Sequence, residues 1–209
     1  MTKKEMILEA ATKFFASQGF ADTSTAELAK ATGVAEGTIF YHFKSKEVLL
    51  LEVLRRVRRE VIERFESHER ETDYPNGLEK IEGLLGFYLY LTGVMEDEFL
   101  LLHRHYPYLL AMENEICREQ LAALYNCFIE FFEKGIIEGR ADGSIAAVRE
   151  RKVAMILFTM VDGLARFKTY NLYDAGALFT EMIASAKKML THTHEKGRIP
   201  DAHENLPFP

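Results

Sequence analysis

The segment between Glu36 and Phe43 combines small, hydroxyl and imidazole side chains in a pattern suited to contacting DNA. Ile39 and Phe43 are four residues apart, so on a helix they share one face and can anchor it to a core. The other side of that helix carries one small and three polar side chains, which are Gly37, Thr38, Tyr41 and His42. A slender helix with polar side chains near its N-terminus fits the major groove of DNA, which is about 12 Å wide.

Two neighbouring elements position this segment. Ser24 and Glu27 have the spacing of a capping box, which predicts a short helix that starts after Ser24 and ends at Gly33. A turn of about three residues then leads into the helix near 36–42. Two short helices joined by a glycine-containing turn form a helix-turn-helix. Ser45 is predicted to cap the next helix, whose first turn holds Lys46, placed as a phosphate clamp.

These residues resemble the DNA-binding head of the TetR family of bacterial repressors. The resemblance covers GFADTSTAELA from Gly19 and GVAEGTIFYHFKSKE from Gly33, within the first fifty residues. Two positions depart from the family pattern: Ala35 stands where serine is frequent, and Phe40 where tyrosine is usual. The resemblance and the groove geometry together give the candidate DNA contacts, which are Ser24, Thr25, Glu36, Gly37, Thr38, Tyr41, His42 and Lys46.

The distribution of charge along the chain also favours contact between the head and DNA. The net charge of the chain is −6, yet residues 1–60 hold ten Lys/Arg against eight Asp/Glu, whereas the remainder holds sixteen against twenty-four. A weakly basic head on an acidic body fits a protein whose head alone meets phosphate.

The periodicity of the whole chain is helical, so the predicted fold class is all-α, with an N-terminal three-helix head containing the helix-turn-helix and a larger helical ligand-binding and dimerisation domain. The predicted divisions are the head at 1–48, the body at 49–191 and a tail at 192–209. Apolar positions from Ile7 to Phe15 indicate the first helix, which ends before Gly19. Later helices are expected at 46–71, 77–93, 96–105, 109–138, 144–171 and 174–191, with Pro107 at one of the breaks.

Ten of the twenty-four aromatic residues lie between positions 82 and 132. In the family a ligand cavity lies among these helices, and such cavities are mostly apolar with a few polar anchors. Aromatics at helical spacing are also typical of plain core, and both interpretations stay open. The pocket candidates are Phe87, Tyr88, Leu91, His103, Tyr125, Phe128, Met155 and Phe158. A cationic ligand could be balanced by Glu98, Glu113 or Asp162, and Asp162 could instead pair with Arg166.

The resemblance further implies a homodimer that pairs through the last two long helices, which carry apolar stripes at 153–165 and 179–190. The expected function is a DNA-binding transcriptional regulator, a repressor that binds a palindromic operator and is released by a small, largely apolar or aromatic ligand. An activator, or a regulator that responds to a protein partner, is the alternative.

Other classes of protein lack support in the residues. No nucleophile elbow, P-loop or dinucleotide fingerprint occurs, so an enzyme is not expected and no cofactor is predicted. His103 and His105 are two apart, which points them in different directions on a helix, so no metal site is predicted. Cys117 and Cys127 have no finger spacing and indicate reduced thiols of a cytoplasmic protein. Neither a signal peptide nor a membrane-spanning segment is recognisable.

Overall fold

The computed structural model describes residues 1–192, and all regular secondary structure within that range is α-helical, which confirms the predicted class. The helices are α1 (Lys3–Ser17), α2 (Thr25–Thr32), α3 (Glu36–His42), α4 (Lys46–Glu71), α5 (Gly77–Val94), α6 (Glu96–His103), α7 (His105–Glu113), α8 (Glu115–Asp142), α9 (Glu150–Thr169) and α10 (Ala175–Thr191).

The three-helix head forms around a small apolar core. Ser24 caps α2 through a capping box with Glu27, as the sequence predicts, and Thr2 caps α1 through a second one with Glu5. Gly33 ends α2 with φ +67°, a left-handed conformation that glycine adopts without steric cost. The turn that follows is therefore tight, and it brings α3 directly against α2.

Helix α4 begins in the head and connects it to the rest of the body, which is made of α5–α10. It begins at Lys46 and ends at Glu71, as predicted, and the Ser45 hydroxyl accepts a hydrogen bond from the Val48 amide at 3.2 Å. Its apolar stripe is buried along the length of the helix, from Leu50 to Phe65. It packs on α1 of the head and on α8 of the body.

The 28-residue helix α8 is the centre of the body, and it packs against α4, α5, α7 and α9. The fully buried rings of Phe128 and Phe132 fill the space between these helices. Gly77 at the start of α5 lies so close to α8 that an added Cβ would meet the Gly139 nitrogen at 2.1 Å. The Asp142 carboxylate accepts a hydrogen bond from the Gly77 amide at 2.7 Å and ties the two helix ends together.

Several predicted helix bounds in the body are wrong. The helix expected at 109–138 is two helices, because the Asn114 side chain leaves the helical path to cap the Cys117 amide at 3.0 Å. The break expected at Pro107 lies at Arg104, whose backbone is extended, and Pro107 sits in the first turn of α7, where its missing N–H costs nothing.

The helix expected at 144–171 begins only at Glu150, after a segment whose Ala146 amide bonds to the Leu190 carbonyl at 2.8 Å. The predicted tail at 192–209 lies outside the described residues, apart from His192. None of the helices in the described range is long and apolar enough to span a membrane.

Candidate functional site

The structure places α3 on the surface of the head with its polar face outward. Ile39 is the one buried residue of the helix, at 1% exposure, and Phe43 anchors the residue after its end. Tyr41 is 80% exposed, and the backbone at Gly37 faces open space. The predicted anchoring of this helix by Ile39 and Phe43 is therefore confirmed. Of the side chains of α3 that are predicted to contact DNA, Tyr41 is exposed, whereas Thr38 and His42 are half-buried.

Side-chain hydrogen bonds link α2 to α3. The Thr25 hydroxyl of α2 donates to the Glu36 carboxylate of α3, and within the cap of α2 the Ser24 hydroxyl donates to Glu27 at 2.8 Å. The Ser24 amide and hydroxyl both donate to the Glu27 carboxylate, and these two bonds lower the pKa of that carboxyl. As expected from the sequence, Ala35 gives α3 no side-chain cap, so the first amides of α3 are not occupied by it.

Lys46 has a different environment from the one expected of a phosphate clamp. Its Nζ donates to the backbone carbonyls of Phe20, Ala21 and Thr23 at 2.7, 3.3 and 2.9 Å. An ammonium group has three N–H donors, and these carbonyls engage all of them. Lys46 thus fixes the loop before α2 to the start of α4, and a direct contact of its side chain with phosphate stays a prediction.

The body contacts the head at a second place besides α4. Arg104, between α6 and α7, donates from Nε to the Ala16 carbonyl at 2.8 Å and from a terminal nitrogen to the Ser17 carbonyl at 2.7 Å. A guanidinium is well placed at the C-terminus of α1, where carbonyls lack partners in the helix. Sequence periodicity could not identify this residue, since its partners lie almost ninety positions earlier in the chain.

Five of the eight pocket candidates converge on a buried polar cluster inside the body: Tyr88, His103, Tyr125, Phe128 and Phe158. Its centre is Asp162, which accepts hydrogen bonds from the Tyr88 hydroxyl at 2.7 Å and from His103 Nε2 at 3.2 Å. The predicted pair of Asp162 with Arg166 is also present, at 3.9 Å.

Burial by itself would raise the pKa of Asp162, but the hydrogen bonds from His103 and Tyr88 outweigh burial and lower it below 3.8. The carboxyl is therefore ionised at neutral pH. Burial, together with the Asp162 charge, raises the pKa of Tyr88 well above its usual range. A second hydroxyl pair, Tyr108 with Tyr125, lies beside this cluster. Tyr108 is not among the predicted pocket residues, because the sequence around an aromatic residue does not reveal a hydrogen-bond partner on another helix.

The other three candidates lie elsewhere. Phe87 and Leu91 line a groove between α4 and α5. Met155 is 49% exposed on the outer side of α9, so its selection as part of an internal pocket is wrong. The positions around the helix explain the error. Ala154 and Phe158 are four residues apart and face inward, whereas Met155 follows Ala154 by one residue and projects from a different side of the helix. Within residues 1–192, no group of three or more His, Cys, Asp or Glu side chains is arranged to hold a metal ion.

Comparisons with known proteins agree with this architecture. Residues 7–53 match the family model described as "Bacterial regulatory proteins, tetR family". The regulator YerO of Bacillus subtilis is 47% identical over 49 residues, a match that spans 23% of this chain and 17% of YerO. The transcriptional regulator QacR of Staphylococcus aureus is 27% identical over 175 residues, which cover 80% of this chain and 86% of QacR.

The fold of nearly the whole chain has a counterpart among solved structures. A transcriptional regulator from Saccharomonospora viridis, solved in complex with choline, superposes with a TM-score of 0.73 at 22% identity, over 89% of this chain and 94% of that one. The family match covers the head with its helix-turn-helix, and this likeness covers head and body together. Residues 7–53, which include the helix-turn-helix, therefore match the tetR family of bacterial regulatory proteins, and head and body together share the fold of the Saccharomonospora viridis protein.

Proposed function

We propose that this protein is a transcriptional repressor that binds a palindromic operator as a homodimer and is released by a small, largely apolar or aromatic ligand. One observation carries the DNA-binding part: α3 is anchored through Ile39 and Phe43, while Tyr41 is 80% exposed beside a bare Gly37 backbone. A helix held in this way can enter a major groove with its polar face first.

The proposed division keeps residues 1–48 as the DNA-binding head and 49–191 as the ligand-binding and dimerisation body. Thr38, Tyr41 and His42 are the side chains that we assign to base edges and phosphates of the half-site. Ser24, Thr25, Glu36 and Gly37 lie around the N-terminal end of α3, where a phosphate group would approach. Lys46 contributes by fixing the loop that precedes α2.

Dimerisation is supported by apolar side chains that the single subunit leaves uncovered. Met155 and Ile156 are 49% and 48% exposed on α9, and Leu178 is 42% exposed on α10. The inner sides of the same helices are buried, so each helix has one face for its own core and another for a partner. Two heads related by a two-fold axis would read half-sites at least one helical turn apart.

Coupling between ligand and DNA is proposed to run through two connections. The polar cluster around Asp162 includes His103, which ends α6, and the next residue, Arg104, binds the end of α1. A ligand that rearranges the cluster would thereby move the head, in addition to any shift carried by α4. Such couplings are about 1–3 kcal/mol, and they act equally in both directions.

The test is an operator titration with a palindromic site from upstream of the gene, at two salt concentrations. Affinity should fall steeply with salt, by about 0.9 in the logarithmic slope for each phosphate neutralised. Tyr41→Ala should weaken binding at least about tenfold. Tyr90→Ala is the matched control, because Tyr90 is 61% exposed but lies on α5. An equal loss of operator affinity in both variants, or an affinity that does not change with salt concentration, would refute the DNA-binding role of α3.

The alternative, an activator or a regulator that answers to a protein, would share the same head. Thermal denaturation against a panel of small molecules separates the two, since a ligand that binds the native state raises its stability by mass action. Absence of any stabilising compound, together with retained operator binding, would favour the alternative.

A further inference from the structure

The first turn of α3 carries a carboxylate that contact with phosphate does not explain. Glu36 is the first residue of the helix, and its side chain is exposed. A carboxylate that approaches the phosphates of DNA is repelled by them, so it lowers affinity unless a hydrogen-bond donor meets it. Residues near the N-terminus of a recognition helix face the base edges in the major groove, and those edges include donors.

A residue of the neighbouring helix holds this carboxylate in place. The hydroxyl of Thr25, in the first turn of α2, donates a hydrogen bond to Glu36 Oε1. Thr25 is half-buried between the helices, whereas Glu36 is exposed on the surface. A glutamate side chain that is fixed before DNA arrives loses less conformational entropy on binding than a free one.

The contact with Thr25 leaves the second carboxylate oxygen for DNA. Within residues 1–192, no hydrogen bond or ion pair engages Glu36 Oε2. An ionised carboxylate only accepts hydrogen bonds, so Oε2 needs a donor. The first turn of α3 therefore presents a fixed acceptor that bears a negative charge.

Cytosine is the base that suits such an acceptor. One hydrogen of its N4 amino group pairs with guanine, and the other points into the major groove. Adenine N6 also presents a hydrogen there, but it lies between two acceptors, its own N7 and O4 of the paired thymine. Guanine and thymine offer only acceptors at their major-groove edges. These acceptors would repel the Glu36 carboxylate.

We infer that Glu36 is a specificity-determining residue that accepts a hydrogen bond from the N4 amino group of one cytosine in each operator half-site, and that Thr25 positions its carboxylate. The inference rests on the proposed function, because it concerns a base of the operator. It sets Glu36 apart from Ser24 and Gly37, which have no charge that would oppose a phosphate group.

The test is a titration of the full chain with synthetic duplexes of the palindromic site from upstream of the gene. Each base pair of one half-site is replaced in turn, together with its symmetry mate. At one cytosine, replacement by thymine should weaken binding about tenfold or more, because the O4 acceptor replaces the amino group. 5-Methylcytosine should bind as cytosine does, since it has the methyl group of thymine but keeps the amino group.

Glu36→Gln should bind the thymine duplex at least as tightly as the cytosine duplex. Thr25 would donate to the amide oxygen, and the NH₂ group would be left to donate to thymine O4. Misfolding cannot produce such a reversal of preference. Thr25→Val keeps the shape of the side chain but removes the donor, so the preference for cytosine should fall about threefold.

Glu27→Gln is the matched control, because Glu27 is also an exposed carboxylate of the head that accepts from a hydroxyl, but it lies on α2. It should change the affinity for all duplexes by one factor and keep the preference for cytosine. Binding that depends on no cytosine, equal weakening by thymine and 5-methylcytosine, or a preference that Glu36→Gln leaves unchanged would overturn the inference. Operator binding itself persists in those three cases, so the proposed function would stand. Failure of the parent protein to bind any of the duplexes would refute the proposed function, and this inference with it.

Discussion

The ring of Tyr106 lies parallel to the ring of Phe20, with centroids 3.8 Å apart and planes inclined by 9°. The Lys46 ammonium lies 4.4 Å from the centroid of the same Phe20 ring. Helix α7 of the body, the loop before α2 and the first turn of α4 therefore meet at one residue. Together with the Arg104 bonds to the end of α1, this contact makes the orientation of the head depend on the body.

Replacement of Arg104 by alanine should destabilise the protein by about 2 kcal/mol, because two charge-assisted hydrogen bonds to backbone carbonyls are lost. Urea denaturation measures the change, and amide hydrogen exchange should accelerate in residues 1–48. Arg118→Ala is the control, since Arg118 is exposed and, within residues 1–192, pairs only with Glu115 at 3.4 Å. A loss no larger than that of the control would show that the Arg104 contact is not stabilising.

Lys46→Ala should lower the free energy of unfolding by about 1–2 kcal/mol, because three carbonyls lose their donor. The salt dependence of operator binding should keep its slope, since the ammonium is engaged within the head. Denaturation and the salt titration are measured on the same variant. A slope that becomes shallower by about one would instead assign Lys46 to a phosphate.

Gly37→Ala separates folding from recognition. No heavy atom lies within 4 Å of a Cβ built at this position, so the subunit should fold as before and gain about 0.5–1 kcal/mol in stability from the better helix former. Operator affinity should nevertheless fall about tenfold, because the added methyl group lies where the DNA backbone would approach. Unchanged affinity at raised stability would remove Gly37 from the proposed contacts.

Asp162→Asn should destabilise the protein at neutral pH by about 2 kcal/mol, since the half-buried charge is bonded to the buried side chains of Tyr88 and His103. The folded-state pKa of Asp162 lies below 3.8, so its contribution is complete above that value and is lost as pH falls through the folded pKa. Thermal denaturation over a pH series should therefore show the two proteins converging in acid. The exposed Glu115→Gln provides the control, and a difference independent of pH would contradict the assignment.

Ile156→Glu should convert the proposed dimer into a monomer, because it places a charge in an apolar face that is 48% exposed on α9. Sedimentation velocity at micromolar concentration measures the mass. Ile137→Glu is matched in residue type and exposure, at 53%, but lies on α8 and should leave the mass unchanged. A monomeric parent protein, or equal behaviour of both variants, would count against dimerisation through α9.

The helix-turn-helix could be predicted almost residue by residue because its signals are local. The Ser24 and Glu27 capping box, the turn at Gly33 and the Ser45 cap each act over three or four residues of chain. The bounds of α2, α3 and α4 therefore agree with the sequence pattern. In the body, Asn114 interrupts a long apolar periodicity with a single side-chain cap, and the pattern of hydrophobic residues contains no sign of it.

By itself the sequence determined the helical class, the fold of the head and the polar face of α3, since each follows from short-range spacing of caps and apolar residues. Only the tertiary structure decided the partners of Lys46, Arg104 and His103, which come from positions 23 to 88 residues away. The same local sequence pattern allows a long side chain to reach solvent, a phosphate group or a buried carbonyl. Which of these it meets depends on how the helices pack, and that packing is a property of the whole chain.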